Sequence, residues 1–295
     1  MKSSENSIVK SPMPLIHQVY NSCGISSVLM ALKPDKNKEL DAFFRKLDKK
    51  LVKTLKISTD RYDFQDRVQF EAAWLILLAL FKEKELLDQI ASIIPDIDNF
   101  KPLLESTFDE MIVYQKTKGN TAVMKDRENL IKNGAITLNF LESYLEEQKT
   151  DAELKLLGAM FGLVFVAIPE EIGGSSLGYM ANVDPRKPEE YMKKVELLVD
   201  HVSRGSVLAN YEYHWLTLRE IGTCLSEFKH QEAKCESIDE ITSTPHYFKF
   251  NNPLSGMVLS VIKADILTKY HFYNFDFNLD LQKRFLEILK NRLNL

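Results

Sequence analysis

The sequence has 295 residues, 45% of them hydrophobic and 27% charged, which is typical of a folded globular chain and excludes disorder on the scale of the whole chain. Its formal net charge is −4, from 38 basic and 42 acidic residues, so no broad basic surface favours nucleic acid or an anionic membrane as a partner. The three cysteines, Cys23, Cys224 and Cys235, are too few and too scattered for a disulfide framework or a zinc knuckle, and they indicate reduced thiols in a cytosol.

The first residues of the given sequence do not have the pattern expected of a targeting signal. The first seven residues are polar and lack the apolar region of a signal peptide. No apolar run is long enough to cross a bilayer, so we expect a cytoplasmic protein without a membrane partner. Residues 1 to about 12 are expected to form a flexible lead-in, followed by an extended stretch at 12–16, where two prolines disfavour helix.

Helical patterns dominate the chain from Cys23 to about residue 148. The apolar run after Cys23-Gly24, stopped at Pro34, predicts a short buried helix. Apolar residues then recur at steps of three and four, which predicts an amphipathic helix with an inward face of Leu40, Phe43, Phe44, Leu47, Leu51 and Leu55. A second helix is predicted from Phe64 to Phe81, with shorter ones at 84–94, 100–114 and 127–147.

Beyond Asp151 the pattern becomes that of a sheet. An apolar stretch at 154–166 and a glycine-containing loop at 169–178 precede a predicted helix at 188–203. Strand-like runs follow at 206–211, 214–221, 247–250 and 257–262, and a last amphipathic helix covers 279 to about 293. This order predicts an α+β fold in three parts: a segment 1–36 with the buried helix, a helical insertion 37–150, and a sheet-bearing part 151–295.

Cys23 is the candidate nucleophile because it lies at the predicted start of a buried helix. A helix N-terminus favours the thiolate over the thiol, and Gly24 lets a substrate approach the backbone closely. Taken alone, a cysteine beside an apolar run is more often a small buried hydrophobe. Gln18, five positions upstream, is close enough to stabilise an oxyanion together with the Cys23 backbone N–H.

The candidates for a base and for its orienting group lie in the predicted strands. His214 begins a strand and is the best placed of the six histidines to take the thiol proton. Asn252, followed by Pro253 at a strand end, can accept the imidazole N–H and orient the ring. Asn251 is the alternative, although period-two geometry points it to the opposite face. The remaining histidines and the aspartates at 265, 276 and 280 show no metal-ligand spacing, so we expect no metal or cofactor.

Three motifs, taken in order along the chain, resemble the C39-like peptidases of the papain-like superfamily. Gln18 followed by Asn21-Ser22-Cys23-Gly24-Ile25-Ser26-Ser27 resembles their Gln…Cys-Gly-x-x-[Ser/Ala] nucleophile helix. His214-Trp215 resembles their His-aromatic strand, and the end of the strand reading Asn252-Pro253-Leu254-Ser255-Gly256 resembles their [Asp/Asn]-Pro-x-x-Gly motif. The nucleophile pattern also occurs in the actin-maturation proteases, a branch that trims protein N-termini. The resemblance covers about a third of the chain.

What the resemblance implies is a papain-like core, in which the nucleophile helix packs on a C-terminal antiparallel sheet, with a large helical insertion. It also implies a Cys23-His214-Asn252 triad with Gln18 as the oxyanion donor. The chain departs from the family pattern in three ways. The family's glutamine commonly stands six residues before the cysteine, where this chain has His17. The gap before Asn252 is longer, with a polar excursion at 223–244, and the family's common acid is aspartate.

The leading hypothesis is a cysteine peptidase that hydrolyses peptide bonds in a selected peptide or protein substrate through an acyl-enzyme. A competing hypothesis is an inactive papain-like module that binds a protein partner through the helical insertion, with Cys23 buried or misaligned. A third keeps the nucleophile and makes the protein a thiol amidase or acyltransferase acting on a small molecule. The same acyl-enzyme serves the first and third hypotheses, so the residues alone do not separate them.

Overall fold

The computed structural model describes residues 6–11, 13–32, 37–58, 60–94, 102, 130, 132–165, 179–180, 188–204, 206–223, 246–261 and 270–295. Their helices are α1 Cys23–Leu32, α2 Lys38–Leu55, α3 Phe64–Leu77, α4 Lys84–Ala91, α5 Leu138–Leu145, α6 Asp151–Met160, α7 Pro188–Arg204 and α8 Leu279–Leu293. Their strands are β1 Asn6–Lys10, β2 Leu163–Phe165, β3 Tyr179–Met180, β4 Ser206–Tyr211, β5 His214–Thr223, β6 His246–Asn252, β7 Met257–Val261 and β8 His271–Phe277. The α+β class predicted from the sequence is confirmed.

The chain divides into two compact units. The sheet unit contains Met1–Ile16, Met30–Lys33 and Phe165–Phe277. The helical unit contains His17–Leu29, Pro34–Val164 and Asn278–Leu295. Most of the segment around Cys23 therefore groups with the helices that follow it, whereas the sequence pattern predicts a segment 1–36 separate from an insertion at 37–150. The difference arises because side-chain hydrogen bonds join the turn before Cys23 to α3.

The body of the sheet is antiparallel, in the order β8-β4-β5-β6-β7. The predicted strands at 206–211, 214–221, 247–250 and 257–262 are confirmed as β4 to β7, with ends that shift by a few residues. The aromatic-rich segment that begins at His271 is a further strand, β8, which pairs with β4 and β3.

The apolar core of the sheet unit lies between α7 and one face of the sheet. Val195, Leu198 and Val202 of α7 pack with buried residues of β4, β5, β6 and β8, namely Val207, Ala209, Leu216, Leu218, Ile221, Phe248, Phe250 and Phe272. Alternate residues of a strand point to the same face. His214 therefore shares the α7 face of β5 with Leu216 and Leu218.

The predicted flexible lead-in at residues 1 to 12 is wrong for Asn6–Lys10. These residues form β1, which pairs antiparallel with the second half of β5, from Glu220 to Thr223. Strand β4 covers only the first half of β5, so β1 fills the edge that β4 leaves unpaired. Pairing of that edge explains why a short polar segment becomes a strand.

A strained two-residue turn joins β4 to β5 directly before His214. Tyr211 pairs with His214, and the residues between them, Glu212 and Tyr213, have φ of 46° and 69°. Two left-handed residues suit the twist of a hairpin, but asparagine and glycine adopt this conformation at far lower cost than glutamate and tyrosine. Tyr213 is also 76% exposed, so packing gives it little compensation.

Replacement of Tyr213 by glycine is therefore expected to stabilise the protein by about 1 kcal/mol. The measurement is the midpoint of urea unfolding at constant pH. Glu196→Gly, on the exposed side of α7, is the control and should destabilise by a similar amount, because glycine disfavours a helix interior. A Tyr213→Gly variant that unfolds earlier than the parent protein would show that the turn is not strained.

The helical unit is built on amphipathic helices. Asn37 caps α2 by accepting the Leu40 N–H over 3.0 Å, and Lys56 ends it in a left-handed conformation. The buried face of α2 consists of the predicted residues, Leu40, Phe43, Phe44, Leu47, Leu51 and Leu55. The predicted helix at 279–293 is likewise confirmed as α8, and the one at 188–203 as α7.

Helix α3 lies at the centre of the helical unit. Asp63 caps it by accepting the Asp66 N–H over 2.9 Å, and every residue from Val68 to Leu77 is buried. The predicted helix 64–81 is α-helical only to Leu77 and continues as a π-helical turn, Leu78–Lys82. Two of these buried residues of α3 are polar, Gln69 and Glu71, and both are 0% exposed.

Three predicted regions lie outside the described residues: most of the helix at 100–114, the loop at 169–178, and the excursion at 223–244 beyond its first residue, with Cys224 and Cys235. The predicted helix at 127–147 is observed over Leu138–Leu145. No described helix combines the length and apolarity needed to cross a bilayer.

Candidate functional site

The residues before Cys23 form a tight turn, called here the 17–22 turn. Ser22 N–H donates to the Val19 carbonyl across 3.1 Å, which closes a β-turn. Tyr20 occupies its second position with a φ of 53°, a left-handed conformation that a side chain other than glycine adopts at a cost. Contacts from outside the turn must therefore hold it in this shape.

Helix α1 begins at Cys23, as the sequence predicts. Ser26 N–H donates to the Ser22 carbonyl over 2.9 Å, which makes Ser22 the N-cap residue. Its hydroxyl does not fill the usual capping role of accepting an early helical N–H. It donates to Gln69 Oε1 and accepts from Val19 N–H at 3.1 Å. The Ser22 hydroxyl therefore bonds to Gln69 and Val19 and not to the first N–H groups of α1. The helix dipole favours an anion at that end of α1.

Cys23 itself is buried. The residue is 6% exposed, and the helix behind it is apolar, with Ile25, Val28 and Leu29 fully buried. This burial agrees with what the inactive-module hypothesis expects of Cys23. The chemical surroundings of the thiol, however, are not those of an ordinary apolar core.

A buried lysine interacts electrostatically with Cys23. Lys149 is 4% exposed, and its ammonium donates to the Tyr144 carbonyl and, over 2.7 Å, to the Glu147 carbonyl. Burial lowers the pKa of Lys149, while the negative charges of Glu153, Glu147 and Cys23 act in the opposite direction. Attraction between two charges is mutual, so the Lys149 ammonium favours the thiolate form of Cys23.

The Lys149 segment is held against the 17–22 turn. Asn21 Nδ2 donates to the Glu146 carbonyl over 2.8 Å, close to the end of α5. Tyr144 contributes its ring, 3.7 Å below the Lys149 Nζ, and its hydroxyl donates to Glu153 over 2.5 Å. Burial, followed by the Glu153 charge, raises the pKa of Tyr144 well above its ordinary value, so this hydroxyl keeps its proton.

Gln18, the predicted oxyanion donor, lies in the 17–22 turn. Its Nε2 donates to the Tyr20 carbonyl over 2.7 Å, which holds the Gln18 side chain against the backbone of the turn. An amide nitrogen carries two hydrogens, so this bond occupies one of them. Gln18 Oε1 is buried and has no hydrogen-bond partner in the described part of the chain. The geometry leaves one Nε2 hydrogen for an oxyanion.

In the sheet unit, His214 and Asn252 are brought together. His214 Nε2 lies 2.8 Å from Asn252 Oδ1, and the same oxygen accepts the Leu254 N–H over 3.0 Å. The backbone donor shows that the amide oxygen, not the nitrogen, faces the ring, so Nε2 carries the imidazole proton. Nδ1 is then the unprotonated nitrogen of the neutral ring. Among the described contacts it has no hydrogen bond, and it is free to act as a base.

Asn251 points away from this pair, as period-two geometry predicts. Its Nδ2 donates to the Pro14 carbonyl over 2.9 Å, and it pairs with Thr217 across β5. Trp215, on the opposite face of β5 from His214, packs against Tyr273 with ring centroids 5.2 Å apart. Within the sheet unit, the structure thus joins Asn252 and not Asn251 to the imidazole.

The four predicted site residues therefore form two pairs, each within one unit. Cys23 and Gln18 belong to the helical unit. Gln18 lies in the 17–22 turn, and Cys23 directly follows that turn as the first residue of α1. His214 and Asn252 belong to the sheet unit, where one hydrogen bond joins them. The approach of His214 to Cys23 stays a prediction from the sequence. In the part of the chain that the structure describes, no group of three or more His, Cys, Asp or Glu side chains is arranged to hold a metal ion.

We compared the chain with protein-family models, with curated proteins and with solved structures. None of these three comparisons finds a match. The resemblance to the C39-like peptidases therefore depends on the three motifs quoted above.

Two polar residues near Cys23 were missed by the sequence analysis, Lys149 and Gln69. Lys149 stands in a polar stretch between two helices, and nothing in that pattern separates it from a surface lysine. Gln69 did carry a signal, because it interrupts a helix that is otherwise apolar from Val68 to Leu80 apart from Glu71. A buried amide requires hydrogen-bond partners, so its position indicated a polar contact inside the core.

Proposed function

We propose that the protein is a cysteine peptidase with Cys23 as nucleophile, His214 as base and Asn252 as the residue that orients the imidazole. The observation that carries the proposal is the Asn252 hydrogen bond to His214 Nε2, which leaves Nδ1 as the basic nitrogen. An orienting group on one ring nitrogen and a free second nitrogen are what a general base needs. The mutual attraction between Cys23 and the Lys149 ammonium supports the thiolate.

The reaction proceeds through a thioester. His214 Nδ1 takes the Cys23 thiol proton, and Sγ attacks the carbonyl carbon of the scissile amide to give a tetrahedral oxyanion. The Cys23 backbone N–H and Gln18 Nε2 hold that oxyanion. The carbon–nitrogen bond then breaks, and the leaving amine takes the proton from His214. Water, deprotonated by the same imidazole, attacks the thioester, releases the carboxylic acid and restores the thiol.

The burial of Cys23, 6% exposed, favours a second candidate function. In that case the protein is an inactive papain-like module, and its helical unit binds a protein partner. The two candidates predict opposite behaviour of the Cys23 thiol toward a small electrophile. A nucleophile is reactive in proportion to its thiolate content, whereas a buried structural thiol is inert.

The test is competitive labelling of the intact protein with iodoacetamide at pH 7, followed by peptide mass spectrometry. The proposal predicts that Cys23 is alkylated at least about tenfold faster than Cys224 and Cys235, because a favoured thiolate is the attacking species. His214→Ala should remove that advantage. Equal, slow labelling of all three cysteines in the native protein would reject the peptidase and favour the binding module.

Replacement of Asn252 by alanine is expected to lower the turnover number by about 100-fold or more, because the imidazole loses the acceptor that sets its tautomer. Asn252→Asp is the matched control, since a carboxylate oxygen accepts the same Nε2–H and should retain most of the activity. The measurement is release of new N-termini from a random-sequence peptide library. Equal losses in both variants would mean that the hydrogen bond to His214 has no catalytic role.

A further inference from the structure

Gln69 connects α3 to the 17–22 turn and to α1 through four hydrogen bonds. Its Oε1 accepts the Val19 N–H over 3.0 Å, the Ser26 hydroxyl over 3.0 Å and the Ser22 hydroxyl. Its Nε2 donates to the His17 carbonyl over 2.6 Å. The side chain is 0% exposed, so all four bonds form in the absence of competing water.

The hydrogen-bond partners of Gln69 lie on both sides of the two predicted site residues, Gln18 and Cys23. His17 and Val19 flank Gln18 in the chain, and both are fixed through their backbone groups. Ser22 precedes Cys23, and Ser26 lies one helical turn beyond it. A single amide thus holds the chain on both sides of Gln18 and on both sides of Cys23.

The 17–22 turn requires stabilising contacts from residues outside it. Tyr20 has a φ of 53°, so the backbone alone does not favour this conformation. The amide of Gln69 can satisfy both kinds of partner at once, since its oxygen accepts only and its nitrogen donates only. Its orientation is unambiguous, because N–H and O–H donors face the oxygen and a carbonyl faces the nitrogen.

We propose that Gln69 is the positioning residue of the nucleophile: its buried amide fixes the 17–22 turn and the first turn of α1, and thereby sets the placement of Cys23 and Gln18. This proposal rests on the function proposed above. The four hydrogen bonds of Gln69 go to residues near Cys23 and Gln18 in the chain. Gln69 acts through the backbone of residues 17–22, and a displacement of about 1 Å at a nucleophile is enough to lower a rate by about 100-fold.

Gln69→Leu keeps the size of the side chain and removes all four hydrogen bonds. The matched control is Gln282→Leu. Gln282 is also a 0% exposed glutamine of the helical unit, and it is bonded to the Phe161 carbonyl over 3.0 Å and to Asn37 Nδ2 over 2.5 Å. Both variants lose buried amide hydrogen bonds, so we expect similar decreases in their urea midpoints. Only Gln69→Leu loses contacts with the 17–22 turn.

The experiment measures two quantities on the full chain carrying Cys224→Ser and Cys235→Ser: the rate of Cys23 alkylation by iodoacetamide from pH 5 to 9, and hydrogen exchange of the Val19 amide. Gln69→Leu should slow alkylation at least about tenfold, shift its pH profile and speed Val19 exchange at least about tenfold. Gln282→Leu should change each by less than about twofold. The pH profile separates positioning from simple loss of stability.

The outcomes distinguish this proposal from the function on which it rests. Fast alkylation in the parent and an equal rate in Gln69→Leu would overturn the positioning role and leave the peptidase intact. Equal effects of Gln69→Leu and Gln282→Leu would also overturn it, since the loss would then be one of general stability. Slow alkylation in the parent would overturn the peptidase and, with it, any positioning of a nucleophile. Val19 exchange would then still report on the hydrogen bonds of Gln69.

Discussion

Replacement of Cys23 by alanine is expected to abolish peptide hydrolysis, with a loss of at least about 1,000-fold, because removal of the nucleophile leaves only binding and oxyanion stabilisation. Cys23→Ser should be almost as inactive, since a serine hydroxyl is not ionised near neutral pH and Lys149 cannot favour its alkoxide sufficiently. The measurement is the appearance of new N-termini in a random-sequence peptide library after incubation with each variant.

The fold should survive this change. Alanine fills most of the Cys23 site, and Gln69, Ser22 and Asn21 all make hydrogen bonds that hold the 17–22 turn. Urea unfolding of Cys23→Ala should therefore lie within about 1 kcal/mol of the parent. Full retention of hydrolysis in a folded Cys23→Ala protein would remove Cys23 from the mechanism.

Replacement of Glu71 by glutamine is expected to stabilise the protein strongly at alkaline pH. Glu71 is 0% exposed on α3, and neither of its carboxyl oxygens has a hydrogen-bond partner among the described residues. Burial raises the pKa of this carboxyl to about 10, with a further increase from Asp48 and an opposing effect from Arg67. The folded protein therefore holds Glu71 as a neutral acid at pH 7.

The sign of the pH dependence follows from proton binding. In the unfolded chain Glu71 has the ordinary pKa of 4.5, and in the folded chain it is about 10. Between these values the folded state holds one proton more than the unfolded state, so stability falls as pH rises, by up to about 1.4 kcal/mol per pH unit. Below pH 4 the acid is neutral in both states, and its contribution is fully present.

Glutamine has the same shape and no charge, so Glu71→Gln should not show this fall. The variant and the parent should have similar unfolding free energies near pH 4, and the variant should be the more stable by several kcal/mol at pH 8, an upper limit of about 5 kcal/mol from the slope. Glu287→Gln, on the exposed side of α8, is the control and should leave the pH dependence unchanged. Parallel curves for Glu71→Gln and the parent would show that Glu71 ionises in the folded state.

Periodicity was sufficient to predict the elements whose burial is one-sided. Helix α2 has the inward face that its steps of three and four indicate, and α8 has the predicted bounds, because one apolar face packs on the core while the other meets water. The choice of Asn252 over Asn251 depended on the same kind of regularity, applied at a period of two.

Periodicity could not predict strand β1 or the grouping of the 17–22 turn, because both depend on contacts with residues far away in the chain. Asn6–Lys10 is too short and too polar to indicate a strand, and it becomes one because β4 leaves half of β5 unpaired. Its partner lies more than 200 residues away in the chain, and no local pattern contains that information. The grouping of the 17–22 turn with the helices has a similar origin, since it depends on Gln69, some 50 residues downstream.

The chemical setting of Cys23 was only partly predictable. The position of Cys23 at the start of α1 follows from the polar-to-apolar change in the sequence. The Lys149 ammonium does not, because a lysine in a short connection is normally solvated, and only the packing of the α5–α6 connection buries it. A buried lysine that interacts electrostatically with a thiol is the kind of local exception that occurs at functional sites.

Acid-quenched mass spectrometry of the intact protein, after brief incubation with a random-sequence peptide library, detects a thioester on Cys23 directly. A peptidase of the proposed mechanism forms a thioester that survives at low pH, so we expect acyl adducts that map to Cys23 and are absent from Cys23→Ala. Absence of any adduct on Cys23 under conditions in which the library is cleaved, or adducts on Cys224 or Cys235 in its place, would contradict this mechanism.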